Sequence, residues 1–236
     1  MTPFRMTLMG AVAVLLACGG EVQNPTPPPD ELAPEFEGGG MPVGDTSAYP
    51  GPYGVGVGSV IHNYKFFGYP RAAQDRSTIH EIVLADFHNP TGDAVFPDGS
   101  PYGEGVPKPK ALILDRSAVW CPPCQYEASE VIPVARTQYG TDVEFLVTLD
   151  DGKNRGTRAV RGDLDYWVTS YNIDYPAVMD PTSTLSAIVG VDAYPGNVLV
   201  RTKDMKIIHQ EAGVPQSAFW GLVDAVIAGQ PIPKVD

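Results

Sequence analysis

Ala111-Leu-Ile-Leu-Asp115, followed by Trp120-Cys121-Pro122-Pro123-Cys124 and the stretch Gln125 to Tyr139, is the part of the chain whose reading decides the fold. Four apolar residues in a row suit a short buried strand, and Gln125 to Tyr139 suits a helix kinked at Pro133. Val143-Glu-Phe-Leu-Val-Thr-Leu149 reads as a second strand, which completes a βαβ unit. The two cysteines therefore stand between a strand and a helix start. A thiol at a helix N-terminus faces unpaired N–H groups and the positive end of the dipole, which favours its thiolate. Cys121 is expected to attack and Cys124, one turn further in, to resolve.

Two other readings of the pair are zinc binding and an inert disulfide. A closed zinc site needs four ligands, yet there is no second cysteine pair, and His62, His80, His88 and His209 lack ligand spacing. No metal is expected. An inert disulfide across so short a loop would add little stability by chain entropy.

The stretch from Ala111 to Lys206 resembles the membrane-anchored thioredoxin-like redoxins of the TlpA/ResA type, on four features. These are Trp-Cys-Pro-Pro-Cys itself, Asp115 six residues before Cys121, Glu127 six after it, and Ala193-Tyr194-Pro195 ahead of a strand at Asn197 to Arg201. The resemblance implies a thioredoxin-like fold and a buried acid at Asp115. It also implies a second proton-relay acid at Glu127, and a cis Pro195 whose loop, with Tyr194 and Trp120, meets the substrate. The 74 residues from Cys121 to Pro195 are consistent with that family's helix-containing insertion. Arg116-Ser117, where the family carries aromatics, and Gly196, where it commonly has Thr, depart from the pattern. From the residues alone, Asp115 could merely end a strand, and Glu127 could be an ordinary first-turn acid favoured by the dipole.

Outward from this centre, Ile61, Tyr64, Phe66, Phe67 and Tyr69 suggest one or two strands, and Ile79 to Phe87 another, before a Gly/Pro-rich loop from Asn89 to Pro109. Val160, Leu164, Trp167, Val168 and Tyr171 share one face of a helix over 158–171. Asn197 to Arg201 and Met205 to His209 form a hairpin around Lys203-Asp204, and Pro215 to Ala228 a last helix stopped by Gly229. The fold class is α/β, with a mixed central sheet flanked by helices, an N-terminal β extension and a helical insertion.

The N-terminal region reads differently. Residues 1–17 have one basic residue, Arg5, and an apolar run from Leu8 to Ala17, too short for a bilayer span of about 20 residues. This reads as a signal peptide. Leu15-Leu16-Ala17-Cys18 resembles the lipobox of bacterial lipoproteins, which implies acylation of Cys18. Gly19 after it mildly favours the outer over the inner membrane. Residues 18–58, dense in Pro, Gly and acids, are expected to form a flexible tether with a reach of roughly 35 Å, holding a domain over 59–236 off the membrane.

The net charge of −12, becoming −13 when Arg5 leaves with residues 1–17, opposes nucleic acid and anionic lipid surfaces. The expected function is extracytoplasmic thiol–disulfide exchange with protein thiols and disulfides, by a monomer that needs no bound cofactor. Rival readings are a thiol peroxidase, whose Thr and Arg companions are not found around Cys121, a Cu(I)-binding module, and a binding lipoprotein with a structural disulfide.

Overall fold

An interior strand of the sheet, β3 (Ala111–Ala118), has all eight residues buried, so both of its faces must be covered. The computed structural model describes residues 49–189 and 193–232. β4 (Val143–Asp151) lies parallel to β3, and β5 (Ala177–Met179) parallel to β4. On the other side of β3, β6 (Gly196–Arg201) runs antiparallel to it and hairpins into β7 (Lys206–Ala212). β1 (Lys65–Tyr69) joins β5 antiparallel and carries β2 (His80–Val83) as the outer strand. The result is a mixed seven-stranded sheet of order β2-β1-β5-β4-β3-β6-β7.

Alternation along β3 divides the interior into two cores. Ala111 and Ile113 join Phe145, Val147 and Leu149 on one face, covered by α1 (Pro122–Tyr126), α2 (Ile132–Tyr139), α3 (Arg161–Ser170) and α5 (Ser217–Ile227). Leu112 and Leu114 join Leu146, Val198 and Val200 on the other face. Here the cover is the one-turn α4 (Ser186–Val189) and chain without regular structure, which contributes Tyr49, Ile61, Phe96 and Tyr102. Asn89 organises much of that chain. Its Nδ2 donates to the carbonyls of Lys108 and Pro109, and its Oδ1 accepts from the N–H groups of Gly92 and Ala94.

Several expectations change in detail. The strand over Ile79 to Phe87 ends at Val83, and Leu84–Phe87 forms a 3₁₀ turn. Leu84 and Phe87, three apart, thereby both enter the same core, whereas strand alternation would point them to opposite faces. The helix after the cysteines begins at Pro122 and is broken by a π turn over Glu127–Val131, in which the Ile132 N–H donates to the Glu127 carbonyl. Pro133, with no N–H to donate, follows directly. β5 and α4 lie in a stretch where the sequence suggested no element. Three buried residues, Ala177-Val-Met179, offer no alternation to read.

The expected domain boundary at residue 59 also moves. Tyr49 is 2% exposed within the second core, and the Gly58 N–H donates to the Ile207 carbonyl. Residues 49–58 therefore belong to the folded unit. Cys18, the signal peptide and the rest of the expected tether lie outside the described residues.

Candidate active site

Cys121 and Cys124 are joined in a disulfide where β3 gives way to α1, with their Cα atoms 5.3 Å apart. Cys121 is the N-cap residue of α1, and its Sγ accepts from the Cys124 N–H at 3.2 Å. Pro122 and Pro123 fill the first two helical positions, where a missing N–H costs least. Cys124 is fully buried and Cys121 is 2% exposed, so the outer cysteine is more covered than its position at a helix start suggests.

The parity of β3 places the two acids. Asp115 shares the face of Ala111 and Ile113, the face of the core that contains both cysteines, and it is fully buried. The Ser117 hydroxyl, two residues on, donates to its Oδ1 at 2.8 Å. Burial pushes the Asp115 carboxyl up to about 7, the Ser117 hydrogen bond pulls it down, and the charge of Asp150 adds to the rise. Glu127 opens the π turn and is 1% exposed, so it is not an ordinary first-turn acid facing solvent. Burial, then the charge of Asp115, raises its carboxyl well above the usual range, and Asn197 Nδ2 donates to its Oε2 at 3.4 Å. Two acids that oppose each other's ionisation in a dry site favour sharing protons.

Asn197 and Glu211 were not singled out from the sequence. Asp115 pairs with Asn197 across β3 and β6, and Asn197 with Glu211 across β6 and β7, so the three form one row across the sheet. Asp115 Oδ2, Asn197 Oδ1 and Glu211 Oε1 are buried without a hydrogen-bond partner among the described residues. Glu211 Oε2 lies 3.2 Å from His209 Nε2. No local pattern marks such a row, because it is created by strand register.

On the opposite face the structure explains both departures from the redoxin pattern. Arg116 is 4% exposed and donates through Nε to Asp150 Oδ2 at 2.5 Å. Its Nη2 donates to the Tyr194 hydroxyl at 3.1 Å, and its guanidinium carbon lies 4.3 Å from the Tyr194 ring centroid. The Tyr194 hydroxyl donates in turn to Asp150 Oδ2. Arg116 therefore faces away from the cysteines, as strand alternation requires, and grips the loop that carries Pro195. The Tyr194–Pro195 bond is cis. Gly196 follows, and an added Cβ there would lie 2.8 Å from Val189 Cγ1, which leaves no room for Thr.

Trp120 joins the two halves of the site. Its ring meets Tyr194 edge to face with centroids 5.6 Å apart, and its Nε1 donates to Asp151 Oδ2 at 3.0 Å. The structure thus brings Trp120, the neighbour of Cys121, against Tyr194, the neighbour of Pro195, while Asp115 and Glu127 are buried on the side of the sheet whose core also holds both cysteines.

No known family model matches this chain, and no curated protein does. Among solved structures, it is similar to a hypothetical protein from Sinorhizobium meliloti 1021 at 13% identity, over 78% of this chain and 90% of that one, with a TM-score of 0.54. It is likewise similar to an uncharacterized conserved protein from Geobacillus kaustophilus at 13% identity, over 76% and 86%, with a TM-score of 0.52. A DsbF homologue from Corynebacterium diphtheriae aligns at 15% identity over 73% and 88%, with a TM-score of 0.46. The first two likenesses speak to fold. The βαβ unit with Cys-x-x-Cys at its helix start, the cis-proline loop and the closing hairpin make that fold thioredoxin-like.

Proposed function

We propose that this chain is an extracytoplasmic thiol–disulfide oxidoreductase that works through Cys121 and Cys124. The observation that carries the reading is the disulfide between them at the start of α1, set in the same core face as two buried acids. In the reductive direction, the Cys121 thiolate attacks a substrate disulfide. The substrate S–S bond breaks, a Cys121–substrate bond forms, and the departing sulfur takes a proton. Cys124 then gives up its proton, attacks Cys121 Sγ and releases the second substrate thiol. Two electrons pass to the substrate and the 121–124 disulfide reforms; oxidation runs in reverse. Asp115 and Glu127, whose burial makes them protonated more readily than surface acids, receive and return the Cys124 proton. Backbone groups beside Pro195, with Tyr194 and Trp120, hold the substrate segment. No bound cofactor takes part.

Export and a lipid anchor rest on residues 8–18. Among the described residues no helix is long and apolar enough to cross a membrane. Acyl groups on Cys18 in the mass of the native N-terminus would test the anchor.

The exchange reading is tested with the reduced protein and insulin. Reduction of insulin disulfides by wild type, and accumulation of a mixed disulfide by Cys124→Ser, are the expected results. Trapping by Cys121→Ser alone would reverse the roles, and no reduction by wild type would sink the reading.

A further inference from the structure

The connection from β4 to α3 departs from the acidic character of the chain. Lys153, Arg155, Arg158 and Arg161 lie within nine residues with no acid among them, four of the 16 basic residues in a chain of net charge −12. This loop is folded. The Gly152 N–H donates to the Thr157 carbonyl at 2.8 Å, and the Ala159 N–H to the Asp150 carbonyl at 2.9 Å. Asp151 Oδ2 accepts both the Gly156 N–H, at 2.8 Å, and the Trp120 indole N–H, at 3.0 Å. One carboxylate therefore fixes the loop to the residue that precedes Cys121.

The cations on this loop are exposed, and three of them make no ion pair with a described carboxylate. Arg155 stacks on Trp120 with its guanidinium carbon 4.2 Å from the ring centroid, and Lys153 lies 4.9 Å from the Tyr166 ring. Arg158 pairs with Asp151 through the backbone only. Nearby carboxylates are engaged elsewhere: Asp151 as above, and Asp163 in accepting the Val160 N–H at 3.1 Å. Arg161 is different, held by the Tyr69 hydroxyl, the carbonyls of Arg76 and Ser77, and Asp165. On the helix side of Cys121 the first turn carries no surface charge, with Pro122, Pro123 and Tyr126 exposed, and the first exposed charge along it is the acid Glu130.

We propose that the 153–158 loop is a docking surface for acidic polypeptide, so that the disulfides exchanged at Cys121 are those flanked by Asp and Glu. The inference rests on the exchange reading and adds the substrate class to it. A short acidic segment meets three local cations, whereas an anionic membrane or a nucleic acid would face the whole negatively charged molecule. Lys153 and Arg155, already held by their ring contacts, lose less freedom when a carboxylate binds. The indole under Arg155 also places the charge contact next to the nucleophile.

The test uses the full chain, reduced, with three disulfide peptides that differ only in flanking residues: acidic, neutral or basic. Wild type is expected to reduce the acidic peptide with a kcat/KM about tenfold above the basic one at low salt, with the ratio falling as salt rises. Replacing Lys153, Arg155 and Arg158 with Gln should bring that ratio to near one, a comparison within each enzyme that is insensitive to overall activity. Binding of an acidic peptide with Ser in place of Cys, measured by calorimetry, reads the surface without the chemistry. Reduction of all three peptides at equal rates overturns the inference and leaves exchange intact. Salt-dependent binding of the Ser peptide with no reduction of any peptide overturns exchange and leaves the surface. Retention on phosphatidylglycerol vesicles without peptide binding also overturns the inference.

Discussion

At the scale of single residues, the decisive chemistry is the cost of keeping carboxylates away from water. Asp115 has an ordinary value of 3.8 and is raised by burial to about 7. Its native form thus favours the proton, so its contribution to stability is present below the unfolded value and is lost as pH rises through about 7. Asp115→Asn removes that loss. The oxidised variant is expected to gain on the order of 2 kcal/mol over wild type at pH 8, and little at pH 4, in denaturant unfolding. An equal difference at both values would mean that Asp115 ionises alike in both states. In the reduced variant the missing negative charge should lower the apparent thiol pKa, read by thiolate absorbance, while turnover slows for want of a proton acceptor. Glu127 remains in that variant, and with its carboxyl likewise raised by burial it is expected to sustain residual turnover.

At the scale of elements, the placement of strands depends on close approaches that single residues permit. β1 reaches β5 because Gly68 has no side chain; a Cβ there would lie 2.1 Å from the Ala177 carbonyl oxygen. Gly68→Ala should therefore destabilise the protein by about 2 kcal/mol or more, since backbone and not a flexible side chain must give way. Gly221, in α5 with nothing within 4 Å of an added Cβ, supplies the control. Gly221→Ala should be neutral or stabilising by up to about 1 kcal/mol. Thermal unfolding of the two variants checks both, and a harmless Gly68→Ala would show that β1 does not pair as closely as described. The longer helices were legible because their apolar residues recur over several turns, as Leu164, Trp167 and Val168 do, whereas the single turn of α4 offers no such recurrence. The π turn at Glu127 was not, because a slip of one hydrogen bond leaves no trace in composition.

At the scale of the whole molecule, the sheet is covered on one face by helices and on the other largely by chain without regular structure. That second cover begins at least as early as Tyr49, whose ring is buried against the domain. A chain beginning at Ser59 loses Tyr49 and the Gly54-to-Val60 and Gly58-to-Ile207 hydrogen bonds. It is expected to be less stable than one beginning at residue 49 by about 3 kcal/mol, on the scale of deleting a large buried aromatic. Equal denaturation midpoints would return the boundary to residue 59. Composition misled here, since a Pro/Gly-rich stretch reads as tether whether or not its aromatics find a core.

The sequence by itself determined the central βαβ unit, the cysteine pair at its helix start, the closing hairpin and the last helix. Each of these is written in neighbouring residues, as a periodic apolar pattern or a short spacing, so local physics suffices to read it. Only the tertiary structure decided that Glu127 turns inward, that Arg116 grips the Pro195 loop through Asp150 and Tyr194, and that Asp115, Asn197 and Glu211 line up. Those groups are separated by tens of residues and meet through strand register and burial. Neither quantity exists in the chain until the sheet has formed.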